Sequence, residues 1–146
     1  MTRNDLLEIE ADRWLGTPWC ANSKIRGAGV SCHNLVIEIL INSGYLDSSF
    51  PSIISSPNVS KHDTVGIIEP FLDGRLEFRR LDLNRELLAP ADVIGLRILR
   101  CVDHLGVMLS GGLFVHVLMH KNTSKDSIAI PPWSQRVLGV WRPIKI

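Results

Sequence analysis

The sequence of 146 residues predicts an α+β fold, with helices first and an antiparallel β-sheet after them. In the N-terminal third, apolar residues recur at the three- and four-residue spacing of amphipathic helices. In the C-terminal half they alternate or form short runs typical of strands, and two such runs flank the turn residues Ser110, Gly111 and Gly112. The length and the ordinary composition predict a single domain over residues 1–146.

The first segment predicts an amphipathic helix. Its apolar positions are Leu7, Ala11, Trp14 and Leu15. Thr2 or Asn4 is a suitable N-cap, since a short polar side chain can accept a hydrogen bond from the free amides of the first turn. Gly16 is the expected C-terminal cap, because Pro18 prevents the helix from continuing.

The second helix has the clearest pattern. One apolar face is formed at helical spacing by Cys32, Leu35, Val36, Ile39 and Leu40. Ser31 is the expected N-cap and Gly44 the expected end, so Cys32 lies in the first turn and points inward. Residues 19–30, which precede this helix, are expected to form an irregular loop because they contain Gly27 and Gly29.

The rest of the chain predicts strands after a polar connection. Residues 47–61 are rich in Ser and Pro and are expected to form a surface loop, and residues 63–71 a short helix limited by Pro70. Strands are expected over 76–81, 92–99 and 136–142, and in the segments HLGVML and LFVHVL on either side of the Gly-rich turn.

Charge and hydropathy exclude several classes of protein. Sixteen basic and fifteen acidic residues give a net charge of +1, which disfavours a nucleic-acid binder. The apolar runs are too short to span a membrane. The acidic, amphipathic N-terminus does not resemble a signal peptide, so we expect a protein that is cytoplasmic as synthesised, with three reduced cysteines.

Cys32 is the first candidate for chemistry. A thiol at a helix N-terminus lies near unpaired amides and the positive end of the helix dipole, and both favour the nucleophilic thiolate. Cysteine is also among the residue types most often buried for packing alone. Position therefore leaves two interpretations of Cys32 open, a nucleophile and a structural core residue.

His104 and His116 are the second candidate, and the length of the turn between them decides whether they meet. A two-residue turn would pair Val107 with His116 and place the imidazoles on opposite faces of the sheet. A three-residue turn would pair Gly106 with His116 and make the two histidines diagonal neighbours, about 7–8 Å apart at the backbone. Cooperation of the two histidines thus requires a loop of odd length or a bulge; two unrelated strand histidines are the alternative.

A zinc site is the competing interpretation of the same segment. Cys101-x-x-His104 and His116-x-x-x-His120 supply four potential ligands with finger-like spacings, although the tight apolar hairpin between them argues against it. Among the remaining residues, we expect Cys20 to be a packing residue and His62 to be solvated. The four tryptophans, Trp14, Trp19, Trp133 and Trp141, are expected to be core or loop-anchoring residues.

Five segments together resemble the NlpC-type cell-wall cysteine peptidases: WLGTPW, GAGVSCHNLV, ADVIGLRI, HLGVML and LFVHV. The ending RVLGVWRP is similar to short, phage-tail-associated members. The resemblance implies a papain-like fold in which the nucleophile helix packs on an antiparallel sheet. It places Cys32 on the nucleophile, His104 on the base and His116 on the residue that orients the base, with Asp92 on the acidic residue that opens the preceding strand.

The residues around Cys32 differ from the family pattern. Ser31 stands where the family has Asp, His33 where it has Ser, and Trp19 where Tyr is common. These positions shape the substrate pocket in the family, so Trp19, Ser31 and His33 are the expected substrate-binding residues. From its position alone, His33 is expected on a solvated helix face rather than against substrate.

The resemblance implies a hydrolase of peptide bonds in the peptidoglycan stem, typically after a γ-linked D-glutamate, without metal or cofactor. Its expected partners are the stem peptide and possible phage tail proteins, and its expected destination is a virion or, after release, the cell wall. Two alternatives remain: a non-catalytic structural or binding module of a phage tail or prophage, and a small zinc-binding domain.

Overall fold

A computed structural model describes residues 1–52, 66–99 and 101–144. Its helices are α1 (Arg3–Trp14), α2 (Cys32–Asn42) and α3 (Ile68–Asp73). Its strands are β1 (Lys24–Ile25), β2 (Gly29–Val30), β3 (Phe78–Arg80), β4 (Val93–Arg97), β5 (Val102–Met108), β6 (Leu113–His116), β7 (Ser124–Ser127) and β8 (Val137–Pro143). The predicted α+β class, with N-terminal helices packed on an antiparallel sheet, is confirmed.

Helix α1 begins at a capping box. The Thr2 hydroxyl accepts the Asp5 N–H at 3.1 Å, and the Asp5 carboxylate accepts the Thr2 N–H at 2.9 Å, so Thr2 and not Asn4 is the N-cap. Such a cap contributes about 1 kcal/mol. The buried carboxylate of Glu10 accepts hydrogen bonds from the Trp14 indole at 3.0 Å and from the Asn42 amide at 2.9 Å, which ties α1 to α2.

The main sheet is antiparallel with strand order β3-β8-β4-β5-β6-β7. Helix α1 packs on α2, and α2 packs on β5. Five strands overlap the segments predicted to be strands: β3, β4, β5, β6 and β8. Strand β7 was not predicted, because its residues are mostly polar. The irregular loop expected over residues 19–30 is also wrong in part, because it contains the β1–β2 hairpin.

The two faces of the sheet bury different apolar groups. The side chains of Leu105, Val107 and Val115 belong to the larger core, which includes the apolar faces of α1 and α2. The opposite face carries a second cluster: Leu81, Ile94, Leu96, Met108, Phe114 and Val140. Because successive side chains of a strand point to opposite faces, these clusters fix which face each functional side chain occupies.

The hairpin between β5 and β6 has the odd loop that the two histidines require. Gly106 pairs with His116, and the Leu109 N–H donates to the Leu113 carbonyl at 2.8 Å around the three residues Ser110–Gly112. Gly112 has φ of +73°, in the left-handed region that glycine adopts without strain. Of the two turn lengths that the sequence left open, the structure has the three-residue turn, which lets the histidines meet.

Other expectations fall partly outside the described residues. Most of the loop expected over residues 47–61 lies there, as does His62. The short helix expected over 63–71 is present as α3, which starts at Ile68 and runs to Asp73. All three cysteines are free thiols, but Cys20 is exposed, so the expectation that it is a packing residue is wrong. In the described part of the chain, no helix has the length and apolarity needed to cross a membrane.

Candidate active site

Cys32 is the first residue of α2, and the preceding chain fixes where this helix begins. Ser31 has extended backbone angles and its carbonyl accepts the Leu35 N–H at 2.9 Å, so Ser31 is the N-cap through its main chain. The Ser31 hydroxyl instead contacts His33 Nε2 at 3.3 Å. The Ser23 carbonyl accepts both the Ser31 N–H at 3.1 Å and the Asn34 side-chain amide at 3.1 Å, which anchors the helix start.

The thiol of Cys32 lies against strand β5. The residue is partly exposed and packs against the larger core. Burial of the thiol raises its pKa, an effect that the charge of Asp103 increases, whereas hydrogen bonding to the backbone at Leu105 and at the helix start lowers it. Leu105 directly follows His104, so the N-terminus of α2 meets β5 at the position of this histidine.

His104 and His116 form a buried hydrogen-bonded pair. His104 Nε2 and His116 Nδ1 are 2.8 Å apart, and the two residues are only 3% and 1% exposed. Burial, and then the neighbouring ring of His116, lower the pKa of His104 to about 3. Both rings are therefore neutral at pH 7, and His104 Nδ1 is the nitrogen of that ring that His116 leaves free.

The sheet is adapted to hold two rings side by side. Gly106 lies opposite His116, and a Cβ at Gly106 would come within 2.8 Å of the Phe114 ring and 3.4 Å of His116 Cβ. The indole of Trp133 packs edge-on against His116, with ring centroids 4.8 Å apart, and tilted against His104 at 6.2 Å. The glycine provides the space, and the aromatic residues close it.

A β-bulge lies directly before His104. Leu96 pairs with His104 but Arg97 pairs with Val102, so Asp103 is an extra residue on β5. Its carboxylate accepts the Ile98 N–H at 2.6 Å and the Leu99 N–H at 2.8 Å. Bulges bend a strand and change the direction of the next side chain, and they are frequent beside active sites. Asp103 thus sets the direction of His104.

Asp126 on β7 is a candidate site residue that the sequence analysis missed. Its Oδ2 lies 2.7 Å from His116 Nε2. The only signal in the sequence was a polar segment, SKDS, within pairing distance of the hairpin, and no apolar alternation marked it as a strand. Three side chains therefore form a continuous chain of hydrogen bonds: His104, His116 and Asp126.

The predicted site residues are not all joined. Across the described residues no hydrogen bond links the Cys32 thiol to His104. Both imidazoles share the sheet face of Leu96 and Phe114, whereas α2 packs on the other face. Contacts of a catalytic base are often long in a free enzyme and tighten when substrate binds. The geometry brings Cys32 to the backbone beside His104 without joining the two side chains.

The expected substrate-binding residues surround the start of α2. The backbone of Trp19 forms a β-bridge with Val30, and its N–H donates to the Lys121 carbonyl at 2.9 Å. The partly exposed Trp19 ring meets His120 edge-on, with ring centroids 5.7 Å apart. His33 is partly buried, and burial lowers its pKa to about 4, so the interpretation of a solvated helix face is wrong. Ser31 is buried beside it.

The four potential zinc ligands are not assembled. Residues 1–52, 66–99 and 101–144 contain no group of three or more His, Cys, Asp or Glu side chains placed to hold a metal ion. His104 and His116 face each other, whereas His120 lies against Trp19.

Comparison with known proteins gives a result at the level of structure only. No protein-family model matches the sequence, and no curated protein matches it. Among solved structures, an NLP/P60-family protein from Staphylococcus aureus, similar to a lipoprotein, superposes over 99% of this chain with a TM-score of 0.64 and 16% identity. The chain has the NlpC/P60 fold. A second NlpC/P60 family protein, from Bacillus cereus, superposes over 97% of the chain with a TM-score of 0.64 and 17% identity.

The superpositions cover nearly all of this chain, whereas this chain covers only part of some of the neighbouring structures. The chain spans 42% of the S. aureus protein and 40% of the B. cereus protein. It spans 96% of the NlpC/p60 domain of the peptidoglycan hydrolase SagA, with a TM-score of 0.54 and 12% identity over 94% of this chain. The expected papain-like architecture is confirmed; the link to phage tails stays a prediction.

Proposed function

We propose that this protein is a cysteine peptidase that hydrolyses a peptide bond in the peptidoglycan stem, with Cys32, His104 and His116 as its catalytic residues. The observation that carries the proposal is the buried contact of 2.8 Å between His104 and His116, one residue away from the β5 backbone that meets the Cys32 thiol. The NlpC/P60 fold and the peptidoglycan hydrolase among its structural neighbours support the same substrate class.

The proposed mechanism starts from a neutral thiol and a neutral imidazole. As Cys32 Sγ bonds to the scissile carbonyl carbon, its proton passes to His104 Nδ1, which must come within hydrogen-bond reach of the thiol when substrate binds, and the carbonyl electron pair moves to oxygen. The Cys32 backbone N–H, at the positive end of α2, stabilises that oxyanion. The C–N bond then breaks and His104 protonates the leaving amine. Water, deprotonated by His104, finally hydrolyses the thioester and restores the thiol.

The proposed bond is the one that follows a γ-linked D-glutamate. This rests on the sequence resemblance, and Trp19, Ser31 and His33 are the residues proposed to contact the peptide. Ser31 and the neutral His33 add no charge at the start of α2 and are proposed to contact the peptide by hydrogen bonds. The proposed destination, a virion or the cell wall, rests on the same resemblance.

Replacement of the nucleophile tests this function. The purified protein, its Cys32→Ala variant and a matched Cys20→Ala variant are incubated with a muropeptide mixture, and products are detected by mass spectrometry. We expect equal cleavage by the wild type and Cys20→Ala, because Cys20 is exposed and makes no contact with the histidine pair. We expect none by Cys32→Ala. Cleavage by Cys32→Ala at the wild-type rate would disprove the assignment.

A second candidate is a non-catalytic structural module that keeps the fold, such as a part of a phage tail. One observation favours it: burial raises the pKa of the Cys32 thiol. The dependence of Cys32 reactivity on His104, predicted in the Discussion, separates the two functions.

A further inference from the structure

The edge strand β7 supplies a carboxylate to the buried histidine pair. Asp126 lies opposite Phe114 in the β6–β7 register, and Phe114 and His116 are two residues apart on the same face. Its side chain therefore reaches His116 as a diagonal cross-strand neighbour, and Oδ2 lies 2.7 Å from Nε2. Strand β7 is also tied to α1, because Lys125 pairs with Asp12 at 2.6 Å.

The hydrogen bonds of this chain admit one arrangement of protons. A carboxylate only accepts hydrogen bonds, so the Nε2 of His116 that faces Asp126 must carry a proton. In a neutral ring the other nitrogen, Nδ1, is then an acceptor, and the Nε2 of His104 must donate to it. The Nδ1 of His104 is thereby left with a free lone pair.

We propose that Asp126 is a positioning residue that acts through His116 to fix the tautomer of His104, so that Nδ1 is its basic atom. This inference rests on the proposed function, since it assigns the nitrogen that takes the thiol proton. The neutral state of His104 makes the tautomer decisive, because a ring with its proton on Nδ1 would carry its lone pair on Nε2, which faces His116.

The burial of the pair is the reason that one carboxylate can control it. His104 and His116 are enclosed by Phe114 and Trp133, and their only side-chain hydrogen-bond partner beyond each other in the described parts of the chain is Asp126. In the reversed arrangement, His116 Nδ1 donates to His104 Nε2, and His116 Nε2 has no proton to donate to Asp126. Without Asp126 this arrangement is no longer disfavoured. Both arrangements would then be populated, and only one leaves Nδ1 of His104 basic.

Nitrogen NMR measures this directly and needs no substrate. Two-bond ¹H–¹⁵N correlation spectra of the ¹⁵N-labelled chain at pH 7 report which ring nitrogen carries the proton, and His104→Gln and His116→Gln assign the signals. We expect both wild-type rings to carry the proton on Nε2. In Asp126→Ala we expect shifts toward a mixture of tautomers in both rings. The matched Asp12→Ala variant, which releases Lys125 of the same strand, keeps the wild-type pattern.

A proton on Nδ1 of either wild-type ring, or wild-type tautomers in Asp126→Ala, would overturn the inference. The wild-type spectrum decides the first point even if the variant does not fold. Muropeptide kinetics add a second readout: Asp126→Ala should lower kcat by about 10-fold to 100-fold, the range found when the partner that orients a metal-bound histidine is removed, with KM nearly unchanged. Asp126→Asn, whose amide oxygen can still accept a hydrogen bond from the His116 Nε2–H, should restore part of kcat.

The NMR measurement and the muropeptide kinetics distinguish failure of this inference from failure of the proposed function. If the protein cleaves no muropeptide but the tautomers depend on Asp126 as stated, the proposed substrate is wrong and the role of Asp126 stands. If muropeptides are cleaved and Asp126→Ala matches the wild-type kcat, the peptidase stands and the role of Asp126 is wrong.

Discussion

The imidazole of His104 is a neutral base in the resting protein. Its pKa is lowered to about 3 by burial and by His116, while burial raises the pKa of the Cys32 thiol. A separated thiolate and imidazolium would be costly in these surroundings because each charge would lose its hydration. The resting pair is thus thiol and imidazole, and in the proposed mechanism the activation of Cys32 depends on His104 taking the proton as the sulfur attacks.

This dependence predicts how Cys32 responds to an alkylating reagent. At pH 7 we expect His104→Gln to slow the carboxamidomethylation of Cys32 by iodoacetamide by at least about 10-fold, since general bases contribute roughly 10²- to 10⁴-fold. Peptide mass spectrometry of timed samples measures the rate, and exposed Cys20 in the same tube is the internal control. An unchanged ratio of Cys32 to Cys20 rates would favour the non-catalytic module.

At the scale of elements, the turn Ser110–Gly112 is what brings the histidines together. Its three residues set the pairing of Gly106 with His116, and a loop one residue shorter would turn His116 to the opposite face. The turn is held to α1 as well, because the Glu8 carboxylate accepts the Ser110 N–H at 2.7 Å and its hydroxyl at 2.6 Å. The register of the site therefore depends on the conformation of this loop.

The loop makes a prediction about Gly112. At φ of +73° an alanine is strained although nothing lies within 4 Å of its Cβ, so Gly112→Ala should lower the free energy of unfolding by about 1–2 kcal/mol. Asparagine tolerates this region better, and Gly112→Asn is the matched variant with a smaller loss. Urea denaturation measures both. Equal stability of Gly112→Ala and the wild type would show that the loop adopts another conformation.

Local patterns account for what could be predicted among these elements. The helical period around Leu35 and the Gly-rich turn are short-range signals that predicted α2 and the hairpin, whereas the parity of the turn left open whether His104 and His116 meet. Strand β7 carries no such signal, since its residues are polar and its pairing is set by β6 alone. Asp126 was missed for this reason: its role exists only once the sheet has formed.

At the scale of the whole molecule, the sheet separates two parts of the candidate site. The thiol lies on the side of α2 and the larger core, and the histidine pair lies on the side of the second cluster. In the part of the chain that the structure describes, the bulge at Asp103 and the contact of α2 with β5 lie where the two sides meet. No local sequence pattern predicts where the thiol lies relative to the histidine pair, because this depends on the twist of the sheet and on how α2 lies across it.

Several histidines of the folded molecule are buried in neutral form, and this predicts the pH dependence of its stability. The pKa values of His33 and His104 are lowered to about 4 and about 3, and that of His116 is also lowered, chiefly by burial. Below the ordinary histidine pKa of about 6.5, the unfolded chain binds protons that the folded chain does not. The free energy of unfolding should therefore fall as pH decreases from 7 to 5, by up to about 1.4 kcal/mol per pH unit for each such histidine.

Urea denaturation at pH 7, 6 and 5 tests this expectation in a range above the ordinary carboxyl pKa values. His104→Gln removes one of the buried titrating rings, so its stability should depend less steeply on pH than that of the wild type, whatever its stability at pH 7. His120→Gln is the matched control, because His120 is exposed and its removal should leave the wild-type slope. A wild-type stability that does not change between pH 7 and 5 would mean that these rings are open to protons in the folded protein, and the neutral resting state of His104 would be wrong with it.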